Sequence, residues 1–148
     1  MTVLRTIHTG FTVHDIEQMR AFFADCLGAE AGEIRQVPAG DTLGHITGVP
    51  GAAARVVMMT LPDGHVVELL QYSAPTCGTQ SAPRPCDIGA AHLALEVTSV
   101  AGFARDAQRF DFRFAGQPQF LPGGPFAGRW VAYVRDNHGF TIELIGGA

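Results

Sequence analysis

Asp63-Gly64-His65-Val66-Val67-Glu68-Leu69-Leu70 has a companion near the other end of the chain: His138-Gly139-Phe140-Thr141-Ile142-Glu143-Leu144-Ile145. Gly64 falls on Gly139 and Glu68 on Glu143. In both, an Asx/Gly turn separates an incoming apolar run (Arg55 to Leu61; Arg129 to Val134) from an outgoing one, the signature of a β-hairpin. Working backward, Ile7-His8-Thr9-Gly10-Phe11-Thr12-Val13 and Ala91-His92-Leu93-Ala94-Leu95-Glu96-Val97 read as a second pair of strands, aligned when His8 is set on His92. Each precedes a helical pattern. Asp15 caps the first, with Gln18 placed to complete a capping box, Ile16, Met19, Phe22, Phe23 and Leu27 on its apolar face, and Gly28 at its end. Ser99 caps the second, whose apolar face carries Val100, Phe103, Ala104 and Ala107. With one more strand near Ile34 and one near Phe114, each half reads βαβββ. An internal repeat of this kind supports every element twice. The fold class predicted is α+β, with two tandem βαβββ modules over residues 1–75 and 88–148. The Pro- and Gly-rich stretch at 76–87 is the linker, where no regular element persists.

Strand alternation sorts the side chains. Ile7, Thr9, Phe11 and Val13 share the face beneath the first helix, which turns His8 away from it. Leu93, Leu95 and Val97 lie beneath the second helix, leaving His92, Ala94 and Glu96 on the opposite face. Glu68 and Glu143 likewise stand between apolar neighbours that face inward. Two imidazoles and two carboxylates on the non-helix face of a sheet are costly without a partner. A divalent ion supplies one: two neutral His and two ionised Glu bring a charge of −2. Nitrogen and oxygen donors without thiolate suit Zn, Ni, Co, Mn or Fe(II). The candidate metal ligands are therefore His8, Glu68, His92 and Glu143. Glu96 shares the face of His92, but four residues along a strand is about 13 Å, too far for a common ion.

The rest of the chain bounds the possibilities. It has 148 residues, 47% hydrophobic and 16% charged, enough for one ordinary domain-sized core and too apolar for disorder. The net charge is −4 and all ten cationic residues are Arg, with no basic run. Nucleic acid is not an expected partner. No apolar run approaches the ~20 residues of a membrane span, and the first residues lack a signal-peptide pattern, so a cytoplasmic protein is expected. Cys26, Cys77 and Cys86 form neither a disulfide framework nor a C-x-x-C metal site. Two Gly/Pro-rich segments, Val37–Gly51 with Asp41 and His45, and Phe120–Trp130 with Phe126, are candidate walls or lids. His14, His65 and His138 fall at turns or strand starts and are expected in solvent. Tyr72 lies toward the end of the strand that carries Glu68.

These motifs, taken as a set, resemble the vicinal oxygen chelate superfamily, which includes glyoxalase I, methylmalonyl-CoA epimerase, extradiol dioxygenases, fosfomycin-resistance enzymes and bleomycin-binding proteins. The resemblance spans nearly the whole chain: His8, Asp15-Ile16, Phe22-Phe23, Leu27-Gly28, Val67-Glu68-Leu69-Leu70, His92 to Val97, and Asp136-Asn-His-Gly-Phe-Thr-Ile-Glu143-Leu144. It implies paired modules forming a cup-shaped mixed sheet with helices outside, a divalent metal at its base, a small-molecule substrate chelating through neighbouring oxygens, and a homodimer. A fourth ligand at Glu68 is similar to the glyoxalase I and epimerase types, and implies a lyase or isomerase in which Glu68 or Glu143 moves a proton. Ring-cleaving dioxygenases typically use two His and one Glu, and bleomycin-binding members generally lack the metal set. These remain the alternatives, with a metabolite- or antibiotic-binding protein as the non-enzymatic one. The absence of Lys departs from glutathione-type glyoxalase I, and the last hairpin departs from methylmalonyl-CoA epimerase.

Overall fold

The computed structural model describes residues 2–76 and 82–148. Cys77 and the part of the expected linker at 77–81 lie outside the described residues. The chain divides into two compact units, residues 1–79 and 80–148. Each is built the same way.

The first unit contains β1 (Thr9–Thr12), α1 (Ile16–Leu27), β2 (Glu30–Ala31), β3 (Arg35–Val37), α2 (Asp41–Thr47), β4 (Ala53–Thr60) and β5 (Val66–Ala74). Its strand order is β1-β5-β4-β2, with β3 also on β4. β1 runs parallel to β5 and the other pairings are antiparallel, so the sheet is mixed. The second unit contains β6 (Leu93–Val97), α3 (Val100–Ala107), a 3₁₀ turn (Gln108–Phe110), β7 (Arg113–Phe114), β8 (Gln119–Leu121), β9 (Arg129–Arg135) and β10 (Thr141–Gly146). Its order is β6-β10-β9-β7, with β8 also on β9, and β6 runs parallel to β10. The expected α+β class, a tandem pair of modules with mixed sheets, is the fold observed.

Both helix caps fall where the sequence predicts, but among the described residues the Gln18 side chain does not return the bond that would complete a capping box. The Asp15 carboxylate accepts from the Glu17 and Gln18 amides, and Gly28 closes α1 in the left-handed region at φ 66°. Ser99 accepts from the Gly102 amide at the start of α3. Both hairpin glycines take the positive φ their turns require, 87° at Gly64 and 94° at Gly139. Cores form under the helices: Ile16, Phe22 and Phe23 with Val57, Met59, Val67 and Leu69 in one unit, and Val100, Ala104 and Ala107 with Val134, Ile142 and Leu144 in the other, all 4% exposed or less. Arg55 fastens the start of α1 to its sheet, pairing with Glu17 and donating to Gln71, whose own amide donates to the His14 carbonyl.

Three expectations are corrected. The single strand placed near Ile34 is two short strands. Ala31 pairs with Met59 but Arg35 with Val56, so the edge carries one residue more than β4 across the gap, a bulge that breaks the ladder. The strand near Phe114 is likewise divided, because Pro118 between β7 and β8 has no amide to donate. Ile7 does not join the core; it precedes β1 and is 62% exposed. No helix among the described residues is long and apolar enough to cross a membrane.

Candidate metal centre

Parallel pairing places the donors. Gly10 is the register partner of Glu68, and His8 stands two residues before Gly10 on the same face. The second unit repeats this: Ala94 is the partner of Glu143, and His92 stands two residues before Ala94. Each unit thus carries one imidazole and one carboxylate on a strand diagonal, within reach of each other. His8 Nε2 lies 3.3 Å from Glu68 Oε2, and His92 Nε2 lies 3.2 Å from Glu143 Oε2. All four side chains point away from the helix-covered core, as the strand alternation predicts. The carboxylates are mostly shielded, with side chains 20% and 18% exposed, while the two imidazoles are more open.

The donor geometry within each pair fits a metal. Two ligands about 2.1 Å from a shared ion at 90–110° stand about 3.0–3.4 Å apart, the separation both pairs show. Nitrogen and oxygen donors with one negative charge per pair match a borderline divalent cation. Among the described residues, the structure brings the predicted ligands together as two His–Glu pairs, and no group of three or more His, Cys, Asp or Glu side chains is placed to hold a metal ion.

The surroundings of the pairs differ. Gly10 leaves room beside Glu68: a Cβ there would stand 3.4 Å from Glu68 Oε2. Ala94 fills the matching place beside Glu143. Across the hairpin, Met58 is the register partner of Glu68, whereas Tyr133 is the partner of Glu143. The Tyr133 ring lies 5.1 Å from the His92 ring at a 38° tilt. Its phenol is pushed above the ordinary range, first by burial and then by the Glu143 charge. Tyr133 was not anticipated from sequence. Counting back across the hairpin from Glu143 would have found it had the turn length been known.

Other sequence candidates lie elsewhere. Glu96 is taken by Arg129, 2.7 Å away. Asp41 and His45 are exposed on α2 and line a small cleft of about 350 Å³ with Gly40, Gly44, Gly48, Pro50 and Gly51. His65 is half-buried rather than solvated, its Nε2 3.2 Å from Thr9 Oγ1. Tyr72 shares the Glu68 face, opposite Ala54. In the expected lid, Phe120 belongs to β8 and packs against Trp130, ring centres 5.9 Å apart, in register positions that alternate away from Tyr133. Phe126 stays in the exposed turn that follows. Cys86 is an exposed free thiol.

Comparison with known proteins adds the lineage. A protein of Actinomyces sp named 2-epi-5-epi-valiolone epimerase is 37% identical over 142 residues, covering 93% of this chain and 76% of its own. A glyoxalase family protein from Bacillus cereus superposes with a TM-score of 0.81 at 19% identity, covering 99% of this chain and 95% of its own. The fosfomycin resistance protein FosX of Listeria monocytogenes, solved with Mn(II) and sulfate, superposes at 0.58 and 13% identity, covering 99% and 95%. Residues 7–133 match the family described as the glyoxalase/bleomycin resistance protein/dioxygenase superfamily. With that match, the 37% identical epimerase and the duplicated module all in agreement, the chain belongs to this superfamily, the vicinal oxygen chelate proteins.

Proposed function

We propose that the protein is a metal-dependent epimerase or related isomerase acting on a small carbonyl compound with a neighbouring oxygen. The observation that carries the proposal is the His–Glu pair built twice, by the same strand register, on the open face of each module. The likeness to a protein named an epimerase supports it. His8, Glu68, His92 and Glu143 would hold the divalent ion. When bound, such an ion lowers the energy of negative charge developing on a carbonyl oxygen.

The chain's own residues supply the proton chemistry. A C–H bond gives up its proton at useful rates when a carbonyl stands next to it. A carboxylate, Glu68 or Glu143, accepts that proton; the C–H electron pair becomes the C=C bond of an enolate, and the carbonyl pair moves to oxygen. Return of a proton from a carboxylic acid to the opposite face inverts the carbon, with no net change in atoms or electrons. Two carboxylates at register-equivalent positions provide both roles. The substrate class is a 2-hydroxyketone, whose adjacent oxygens suit chelation.

The test is proton exchange. Manganese-loaded protein incubated with 2-hydroxycyclohexanone in deuterated water is expected to place deuterium at the hydroxyl-bearing carbon. Glu143→Gln and Glu68→Gln keep shape but remove a proton acceptor. The one that is the base should lose roughly 10²–10⁴-fold in exchange even with metal restored. A fully loaded wild type that exchanges no proton with 2-hydroxyketones or α-acyl thioesters would refute the proposal. Binding without exchange would then favour a sequestering protein, and oxygen consumption with a catechol would favour a dioxygenase.

A further inference from the structure

The two His–Glu pairs are alike in donors but not in what stands across the hairpin, and the difference lies at Tyr133. Met58, opposite Glu68, is an apolar thioether 41% exposed. Tyr133, opposite Glu143, is half-buried and carries a hydroxyl. Register partners in an antiparallel pair have Cβ atoms about 4.5–5.5 Å apart on one face, so the phenol rises from the same face as the carboxylate. The tilted contact with His92 holds the ring on the side of the pair rather than over the strand's far end. Among the described residues, the Tyr133 hydroxyl has no hydrogen-bond partner, whereas nearby cationic donors are engaged: Arg135 with Thr141 Oγ1 and the Pro83 carbonyl, and Arg129 with Glu96. The hydroxyl is not buried without a partner and is open to a ligand.

We propose that Tyr133 is a substrate-positioning residue: its hydroxyl donates a hydrogen bond to an oxygen of the bound substrate beside Glu143, and so fixes which end of a two-oxygen substrate faces the second module's pair. The inference rests on the epimerase proposal and adds to it a polarity, since a site with equivalent donors would otherwise accept a 2-hydroxyketone in either orientation. A phenol is protonated, and hence a donor, at neutral pH.

Tyr133→Phe removes the hydroxyl and keeps the ring on His92. Two probes read the effect in manganese-loaded protein: binding of acetohydroxamate, a small mimic of an enediolate with two adjacent oxygens, and deuterium exchange into 2-hydroxycyclohexanone. Loss of a hydrogen bond to an oxygen bearing charge should weaken acetohydroxamate roughly 10- to 100-fold. Exchange should show a raised KM with a smaller fall in kcat, while metal content and melting temperature stay at wild-type values. Binding and exchange within about twofold of wild type would overturn the assignment. So would losses that track a loss of metal or of thermal stability, since these would place the role of Tyr133 in the scaffold. Wild type that neither binds acetohydroxamate nor exchanges protons would remove the epimerase proposal itself, and this inference with it.

Discussion

At the scale of single residues, the chemistry depends on side-chain parity. His8, Glu68, His92 and Glu143 were legible as a set because each interrupts an apolar run at a repeat-equivalent position, and alternation alone turns each from the core. Their pairing within each module follows from the parallel register of β1 with β5 and β6 with β10, which brings residues more than fifty positions apart to 3.2–3.3 Å. Tyr133 escaped notice because nothing local marks it; only the hairpin register puts it across from Glu143. Its environment has a measurable consequence. A folded-state pKa raised above the unfolded value favours the fold fully below the ordinary phenol value of about 10, and that contribution is lost as pH rises through the folded value. The chain has two tyrosines, Tyr72 and Tyr133. In metal-free Tyr72→Phe protein, phenolate absorbance should therefore appear only above the ordinary range, and stability should decline as pH climbs past about 10. Titration at or below the ordinary value would show that Glu143 and burial do not act on the phenol.

At the scale of elements, caps and turns were the most readable features. Asp15, Gly28, Ser99, Gly64 and Gly139 all perform the roles their residue types suggest, since capping and positive φ are local requirements. The divided edge strands and α2 were not readable. The bulge between β2 and β3 depends on register with β4, and α2 is a seven-residue helix containing Gly44 and followed by Gly48, poor helix formers that the period does not reveal. Gly146, at the end of β10, shows how tightly the second sheet is assembled. A Cβ there would stand 1.9 Å from the Val97 carbonyl oxygen. Gly146→Ala should destabilise the protein by about 1–3 kcal/mol or more, because backbone must shift. Gly116→Ala meets nothing within 4 Å and should stay within about 0.5 kcal/mol of wild type. Equal denaturation midpoints for the two variants would contradict this packing.

At the scale of the whole molecule, duplication is the organising fact. One βαβ unit with a hairpin buries a helix on one side of a small mixed sheet and leaves the other side polar enough to carry ligands; two such units double the donor set without any new local invention. The superfamily resemblance adds the expectation of a homodimer, and light scattering should give a mass near twice 15.7 kDa; a monodisperse species at 15.7 kDa would count against it. The central proposal is that both pairs serve one ion. The most direct test is metal stoichiometry by manganese titration of metal-free protein, with His8→Ala, Glu68→Ala, His92→Ala and Glu143→Ala beside the wild type. One ion per chain, with affinity lost by at least about tenfold in each of the four variants, is the expected result. Two ions per chain, each abolished by variants of one module only, or no binding at all, would contradict it.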